Sequence, residues 1–342
     1  MSSSVSREFE ALVSNIPDIG KQWHGDSLLE NARRNLPYCR KSLKDLPPLE
    51  GAKARSGIVI SAGPSLHRTD ALHKIKASGY PGALIAVDGA YVKCLKAGLV
   101  PDYVVTLDPH PTRVVRWFGD PNFEENARHD DYFARQDLDV DFRANSIRHN
   151  NENIELIDRH AALSKLVICT SSSQTVVERA EQAGFDAYWW NPLVDDPRSP
   201  DSVTRQLHGI NRLPCMNTGG TVGTAAWVFA DAILRIPELA VIGMDLGYPG
   251  DTPIHMTQTY YELHDHVESP EELEKLFPRF TFPLNGDHYY TDPTYFWYRK
   301  NLLELLEQSS ATTVNCSEGG TLFGPKIACL RLSEYLERHA HG

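Results

Sequence analysis

Short apolar runs alternate with amphipathic segments along most of the chain. Between residues 57 and 106 the apolar runs are GIVIS, ALIAV and DYVVT, and the alternation returns with KLVICT, DAYWW, ELAVIG and TTVNCS. Buried apolar runs that alternate with helices are typical of parallel strands in βαβ units. The pattern therefore predicts an α/β, Rossmann-like fold in which helices cover both faces of a mostly parallel sheet.

The same periodicity divides the chain into regions. Residues 1–50 are polar and helix-like and end in the breaker DLPPLEG, which predicts a short helical N-terminal extension. Residues 51–342 are predicted to form the α/β domain, with a charged insertion near 119–160 and a loop-rich insertion near 248–293. Two amphipathic segments, SLHRTDALHKIKASG after the first strand and KIACLRLSEYLERH near the end, are each predicted as one helix.

Composition and charge narrow the class of protein. The 342 residues carry a formal net charge of -11, which disfavours non-specific binding of nucleic acid. The six cysteines are scattered without a C-x-x-C pair, so reduced thiols are expected. The N-terminus lacks the apolar core of a signal peptide, and the most apolar helix candidate carries Asp231 and is too short to span a bilayer. We expect a cytoplasmic protein without a membrane span.

The turn SAGPSL, between the first strand and its helix, is the first candidate site. Gly63 allows a tight turn, Pro64 suits a first helical turn, and Ser65 would face outward beside free backbone N–H groups. Helix N-termini at the carboxyl edge of a parallel sheet favour anions, so the turn predicts phosphate binding. Neither G-x-G-x-x-G nor G-x-x-x-x-G-K-[ST] is present, and a plain turn capped by serine is the alternative.

Carboxylates follow the next two predicted strands. Asp88 and Gly89 come directly after ALIAV, and Asp108 comes after YVVTL, two residues before His110. Beside a phosphate-binding turn, such groups are suited to a ribose, a base edge or a hydrated Mg²⁺ ion. A simple helix cap is the alternative for Asp88.

The linked motifs AGPSL and AVDGAYVKCLKAGLVPDYVVTLDP resemble the MptE-like domain family, formerly a domain of unknown function. One branch of that family consists of archaeal 6-hydroxymethylpterin diphosphokinases. The other consists of bacterial motility accessory factors, which look like glycosyltransferases that act on flagellin with activated nonulosonic acids and share features with sialyltransferases. VTLDP departs from the DLDG-like pattern of the pterin kinases, whereas the second half, from NTGGT to GMDLG, is more similar to the bacterial branch.

The resemblance implies a nucleotide-dependent transferase. Its donor would be a CMP-activated nonulosonic, sialic-acid-like sugar, and its acceptor a glycan or a protein in surface or flagellar glycosylation. An alternative is Mg²⁺–ATP-dependent pyrophosphoryl transfer to a pterin-like alcohol, with Asp88 and Asp108 as metal ligands. A further alternative is a non-catalytic nucleotide- or glycan-binding protein. Mg²⁺ is implied only by the diphosphokinase alternative, and no other cofactor is expected.

Further polar turns follow later strands of the predicted sheet. The turn NTGGT presents backbone donors and hydroxyls at a helix start, which predicts a second anion site, with a packed helix cap as the alternative. By resemblance, NCSEGGTLFG would close over a sugar or nucleotide. The nucleotide- or phosphate-binding candidates in these two turns are Asn217, Thr218, Gly219, Gly220, Thr221, Ser317, Glu318 and Gly319.

Catalytic candidates lie at and after the strand ELAVIGMD. Asp245 ends that strand, and His255 follows closely enough to reach the same edge, so His255 is the first candidate for a general base. By resemblance, Tyr260 and Tyr261 would donate hydrogen bonds to the departing nucleotide phosphate without a metal. The alternative is that these residues pack a long lid. The neighbouring ELHDHVE fits no zinc-binding pattern, so no metal site is predicted there.

Overall fold

The computed structural model describes residues 7–112, 114–128, 140–257 and 277–340. Nine parallel strands form the main sheet, in the order β12-β11-β7-β1-β2-β3-β4-β5-β6. The strands are β1 Ser56–Ile60, β2 Ala83–Val87, β3 Tyr103–Thr106, β4 Lys165–Cys169, β5 Asp186–Leu193, β6 Cys215–Asn217, β7 Glu238–Ile242, β11 Thr312–Asn315 and β12 Ile327–Cys329. The predicted α/β fold with a parallel sheet is confirmed.

Helices surround this sheet. They are α1 Arg7–Asn35, α2 Ser65–Arg68, α3 Ala71–Ser78, α4 Asp88–Lys96, α5 Phe123–Arg128, α6 Val140–His160, α7 Gln174–Ala183, α8 Val203–Asn211, α9 Val222–Val228, α10 Pro293–Gln308 and α11 Leu332–His339. Alternate residues of one strand belong to different cores: Leu166 and Ile168 pack in one hydrophobic cluster, and Val167 in the other. The strands are therefore buried on both faces, as helices on both sides require.

The order in which successive strands are added to the sheet reverses next to β1. From β1 the chain builds outward through β2 to β6, and it then returns to place β7 on the other side of β1. In open parallel sheets a ligand usually binds beside the carboxyl ends of the strands at the point where the strand order reverses. A ligand site is therefore expected at the carboxyl ends of β1 and β7.

Two helix predictions are wrong in detail. The segment after β1 forms two helices, because Asp70 adopts a left-handed conformation (φ 51°) between α2 and α3. The segment at the end of the chain begins as strand β12, which pairs with β11, and only then becomes α11. The periodicity of a short apolar run such as that of β12 does not distinguish a strand from a helix. The run becomes a strand because it pairs with β11 at the edge of the sheet.

The loop-rich insertion contains a small antiparallel sheet. Its strands are β8 Tyr248–Pro249, β9 Arg279–Thr281 and β10 His288–Tyr290, in the order β8-β10-β9. In the charged insertion, the described residues form α5 and α6. These short elements bring polar residues from 248–293 back to the main sheet.

The N-terminal helix is attached to the sheet by side-chain hydrogen bonds. Asn31 donates to the carbonyl oxygen of Ser171 at 2.9 Å, and Asn35 donates to those of Thr170 and Ser172 at 3.0 and 2.7 Å. The helix therefore covers the loop after β4, while the division into an extension and a domain stays a prediction. Among the described residues, no helix has the length and apolar character that a bilayer crossing needs.

Candidate functional site

The turns that follow β1 and β7 are bonded to each other at the centre of the sheet. Gly63 N donates to the carbonyl oxygen of Gly243 at 2.8 Å, and Ser65 N donates to Asp245 Oδ2 at 2.8 Å. Gly63 is required by this approach, because a Cβ there would lie 2.5 Å from the Gly243 oxygen and 2.9 Å from Asp245 Oδ2. The structure thus brings together Ser65 and Asp245, two of the residues selected from the sequence.

This contact changes the interpretation of the SAGPSL turn. The Ser65 N–H group that the sequence offers to a phosphate already donates to the Asp245 carboxylate, and α2 has only four residues. A phosphate at this edge would therefore rely on other donors than that N–H group. The phosphate-binding roles of Gly63, Pro64 and Ser65 stay predictions.

Asp245 is a buried carboxylate with one oxygen available. Its side chain is 4 % exposed, and Asp245 Oδ1 and Ser65 Oγ have no hydrogen-bond partner among the described residues. Burial raises the pKa of Asp245, while the hydrogen bond from the backbone N–H of Ser65 and the charge of Arg68 lower it. Buried polar atoms without partners mark a place where a bound molecule or water completes the hydrogen bonding.

Arg68, Asp245, Tyr289 and Gly319 form a group that we call the Arg68 cluster. Arg68 Nη2 lies 4.0 Å from Asp245 Oδ2, and the guanidinium carbon lies 5.8 Å from the centre of the Tyr289 ring. A Cβ on Gly319 would overlap the Tyr289 hydroxyl and come within 3.5 Å of Arg68 Nη2. The motif NCSEGGTLFG therefore reaches the same place as the first turn.

The neighbours of Gly319 support this cluster. Ser317 is buried, and its Oγ accepts a hydrogen bond of 3.4 Å from Met244 N in the turn after β7. Glu318 adopts a positive φ of 55°, and its Oε1 accepts from Leu332 N at 3.2 Å and lies 3.8 Å from Lys74 Nζ. Ser317 thus links the turn after β11 to the turn after β7, while Glu318 faces the surface near α3.

Two cavities open beside the Arg68 cluster, and Arg68, Asp287 and Tyr289 line both. The larger, of about 720 Å³, lies between α2 and the small antiparallel sheet. The smaller, of about 430 Å³, is also lined by Ser65 and Glu318. The larger volume is within the range of about 300–1,000 Å³ that is usual for small-molecule sites.

Asp88, Thr106 and Asp108 form a second group, which we call the Asp88 cluster. Asp88 is 6 % exposed, and its oxygens accept from Thr106 Oγ1 at 2.9 Å and from Gly89 N at 2.6 Å. Burial raises the pKa of Asp88 to about 7, against these two hydrogen bonds, and the charge of Asp108 raises it further. A Cβ on Gly89, the residue after Asp88, would lie 3.2 Å from the Cβ of Ala62, which places this cluster beside the first turn.

The Asp88 cluster does not present a ready magnesium site. Asp88 is buried with both oxygens already hydrogen-bonded, and Asp108 Oδ1 accepts from His110 N at 2.7 Å. Mg²⁺ is bound by ionised carboxylates and retains several waters, whereas Asp88 is buried and its pKa is raised. Within the described ranges, no group of three or more His, Cys, Asp or Glu residues is arranged to hold a metal ion.

Replacing Asp88 by Asn is expected to stabilise the protein at alkaline pH. Between pH 3.8, the ordinary pKa, and about 7 the folded carboxyl keeps a proton that the unfolded chain has lost. The free energy of unfolding of the natural protein therefore falls as pH rises through this window. Urea denaturation at about pH 8 should show Asp88→Asn more stable by about 2–4 kcal/mol, with little difference at low pH.

The matched control for this prediction is Asp201→Asn, which changes an exposed aspartate in the turn before α8. It should leave the pH dependence of stability as it is in the natural protein. Equal pH profiles for Asp88→Asn and the natural protein would show that Asp88 is ionised in the folded state at neutral pH.

The backbone N–H groups of the turn NTGGT already donate to side chains in or next to the turn. Gly219 N donates to Asn217 Oδ1, Gly220 N to Thr218 Oγ1, and Thr221 N to Thr224 Oγ1, at 2.9, 3.2 and 3.1 Å. A Cβ on Gly220 would lie 2.5 Å from the Trp297 ring and 2.6 Å from that of Tyr298, both on α10. These contacts favour the packed helix cap over the second anion site.

The predicted general base, His255, is close in sequence to a residue that lines the larger cavity. His255 is exposed on the short turn Ile254–Met256, four residues after Asp251, which lines that cavity. Its role in catalysis stays a prediction. Tyr260 and Tyr261 lie outside the described residues.

Sequence reasoning missed several residues of the site. Arg68 is inside the quoted helix, three residues after Ser65, and this helical spacing was a usable signal. Tyr289 belongs to an aromatic group whose pattern indicates only core packing, and Arg279 stands in a loop-rich segment without periodicity. Nothing local in the sequence pointed to Tyr289 or Arg279.

Comparison with known proteins agrees with this fold. The sequence model of the family described as 6-hydroxymethylpterin diphosphokinase MptE-like matches residues 29–123, which confirms the MptE-like resemblance for that segment. An uncharacterized protein of Treponema pallidum (strain Nichols) is 31% identical over 90 residues, which are 26% of this chain and 39% of that protein.

A solved structure extends the similarity beyond the matched segment. The MAf glycosyltransferase from Magnetospirillum magneticum AMB-1 aligns with a TM-score of 0.53 at 14% sequence identity, over 92% of this chain and 41% of that protein. At this identity the likeness concerns the fold alone. The aligned part of the chain covers less than half the length of either of these proteins.

Proposed function

We propose that the protein is a glycosyltransferase that uses a nucleotide-activated sugar, with a CMP-activated nonulosonic acid as the donor. The observation that carries the proposal is the Arg68 cluster. At the reversal point of a parallel sheet, the guanidinium of Arg68 and the ring of Tyr289 line two cavities, and the buried carboxylate of Asp245 lies 4.0 Å from that guanidinium. The fold shared with the MAf glycosyltransferase supports the same class of reaction.

The proposed reaction is a displacement at the anomeric carbon of the donor. The bond from that carbon to the phosphate oxygen breaks, and a bond to the acceptor hydroxyl oxygen forms. His255 takes the proton of the acceptor hydroxyl, and Arg68 stabilises the negative charge that the departing phosphate gains. In this proposal Tyr260 and Tyr261 donate hydrogen bonds to the same phosphate.

The acceptor is proposed to be a glycan or a protein in surface or flagellar glycosylation, by family resemblance. All six cysteines are free thiols in the structure, which is consistent with the cytoplasmic location that we propose.

A sugar donor is compatible with the mixed charges of the larger cavity, where arginines and aspartates face the same space.

A second candidate function is pyrophosphoryl transfer to a pterin-like alcohol, and the description of the matching family favours it. In that reaction Asp88 and Asp108 would hold Mg²⁺, which supplies charge neutralisation on the phosphates of ATP. Asp88 would first have to give up its hydrogen bonds to Thr106 and Gly89. We therefore place this candidate second.

A thermal-shift screen tests the two candidates. CMP, CDP, UDP, ATP and a pterin are each added with and without Mg²⁺, because a ligand that binds the folded state raises its melting temperature. We expect CMP to raise the melting temperature without Mg²⁺. A shift that requires Mg²⁺ and ATP would favour the diphosphokinase instead.

Release of CMP from CMP-N-acetylneuraminic acid then separates an enzyme from a binding protein. A melting shift with CMP but no release, with or without added acceptors, would favour a non-catalytic nucleotide- or glycan-binding protein.

A further inference from the structure

We propose that Trp117 is the surface on which the base of the nucleotide stacks. The inference rests on the proposed use of a nucleotide-activated donor, and it concerns a place outside the two cavities, since Trp117 lines neither of them. Trp117 lies on the short helical turn Val115–Phe118, which follows β3. Among the tryptophans whose side chains the structure describes, Trp117 alone is exposed, at 39 %.

The indole ring lies on the β2 side of the first turn. A Cβ on Gly89, at the start of α4, would lie 3.7 Å from Trp117 Cε2 and 3.2 Å from the Cβ of Ala62. The next residue, Gly63, donates its N–H group to the turn after β7, on the side of the Arg68 cluster. The first turn therefore lies between the ring and that cluster. In this proposal a nucleotide crosses the turn, with its phosphate near Arg68 and its base on Trp117.

Buried contacts hold the turn that carries Trp117. Arg179 on α7 is 2 % exposed, and its Nε donates to the carbonyl oxygens of Phe118 and Gly119 at 2.9 and 2.8 Å. A Cβ on Gly119 would lie 2.5 Å from the side chain of Ile154, so α6 packs directly against the same turn. The exposed ring thus stands on a fixed support, and a base that stacks on it need not order the turn first.

Two cations near the ring favour a nucleotide over a neutral aromatic molecule. The guanidinium carbon of Arg116 lies 5.5 Å from the centre of the Trp117 ring, and Lys93 Nζ donates to the carbonyl oxygen of Ala62 at 3.3 Å. Their positive charges attract the phosphate of a nucleotide to this side of the first turn. An aromatic side chain beside cationic groups is the combination with which proteins bind a base and its phosphate together.

Isothermal titration calorimetry on the full chain tests this role with CMP, Mg²⁺–ATP and ribose 5-phosphate, which has no base. Trp117→Ala should weaken a bound nucleotide by about tenfold or more, the usual effect of removing a stacked aromatic side chain. It should leave the affinity for ribose 5-phosphate unchanged. An equal loss for ribose 5-phosphate would show that Trp117 contacts the sugar phosphate or supports the fold, and would overturn the inference.

Two further variants assign the effect to stacking. Trp117→Phe keeps an aromatic ring and should retain most of the nucleotide affinity. Nucleotide binding should quench the tryptophan fluorescence of the natural protein, because a stacked base quenches indole emission, and should quench that of Trp117→Phe much less. Equal quenching in the two proteins would place the base elsewhere and refute the proposal. The control Leu163→Ala removes a 66 % exposed apolar side chain just before β4, at the opposite edge of the sheet, and should bind as the natural protein does.

The choice of nucleotides separates this inference from the proposed function. Equal binding of CMP to the natural protein and to Trp117→Ala would refute the stacking role and leave the proposed function in place. Binding of Mg²⁺–ATP but not of CMP, weakened in Trp117→Ala, would refute the proposed donor and leave the stacking role in place. Binding of neither nucleotide would refute both.

Discussion

Gly243→Ala is expected to lower the free energy of unfolding by about 3–5 kcal/mol, because it adds a backbone clash to an unfavourable φ. Gly243 has a φ of +66°, and a Cβ there would overlap the carbonyl oxygen of Ser61 in the neighbouring turn. The Ser61 oxygen is backbone in a buried turn, so it cannot move aside without breaking the contact between β1 and β7. Urea denaturation measures the change.

Gly184→Ala is the matched control for Gly243→Ala. Gly184 ends α7 with a φ of +78°, and nothing lies within 4 Å of a Cβ placed there. This variant has the same unfavourable φ without the clash, so it should cost only about 1–2 kcal/mol. If the two variants were equally destabilised, the close approach of the two turns would not be the reason that position 243 requires glycine.

Arg68→Gln is expected to lower kcat/KM for CMP release from CMP-N-acetylneuraminic acid by about 100- to 1,000-fold, the usual effect of removing a group that stabilises a developing negative charge. Arg68 is the one cation that lines both cavities among the described residues. Its side chain is 41 % exposed, so its removal should change the free energy of unfolding by less than about 1 kcal/mol.

Two further variants complete this experiment. Arg55→Gln changes an exposed arginine just before β1, at the edge of the sheet opposite to the site, and should release CMP at the natural rate. His255→Ala should lose transfer to an acceptor while it retains CMP affinity, because a general base acts on the acceptor and not on the bound nucleotide. A natural rate in Arg68→Gln would exclude the proposed role of Arg68, and unimpaired transfer in His255→Ala would exclude His255 as the base.

The contact between Asp245 and Ser65 shows that a sequence motif does not by itself reveal which of its polar groups can bind a ligand. From the sequence, SAGPSL offers an N–H group to a phosphate and Asp245 ends a distant strand, and both predictions place polar groups at one edge. In the folded chain these groups bond to each other across 180 residues. The donor is used internally, and the exposed guanidinium of Arg68 becomes the cation of the site.

The class of fold follows from the sequence alone, because the alternation of apolar runs with helices is a local property that strands and helices impose on their own residues. The sequence also places the polar turns at one edge, since all carboxyl ends of a parallel sheet lie there. Which turns are neighbours depends on long-range strand pairing, because β7 pairs with β1 and not with β6. Arg68, Tyr289 and Arg279 meet for the same reason: the small sheet folds back onto α2, and no local pattern encodes a contact between segments so far apart in the chain.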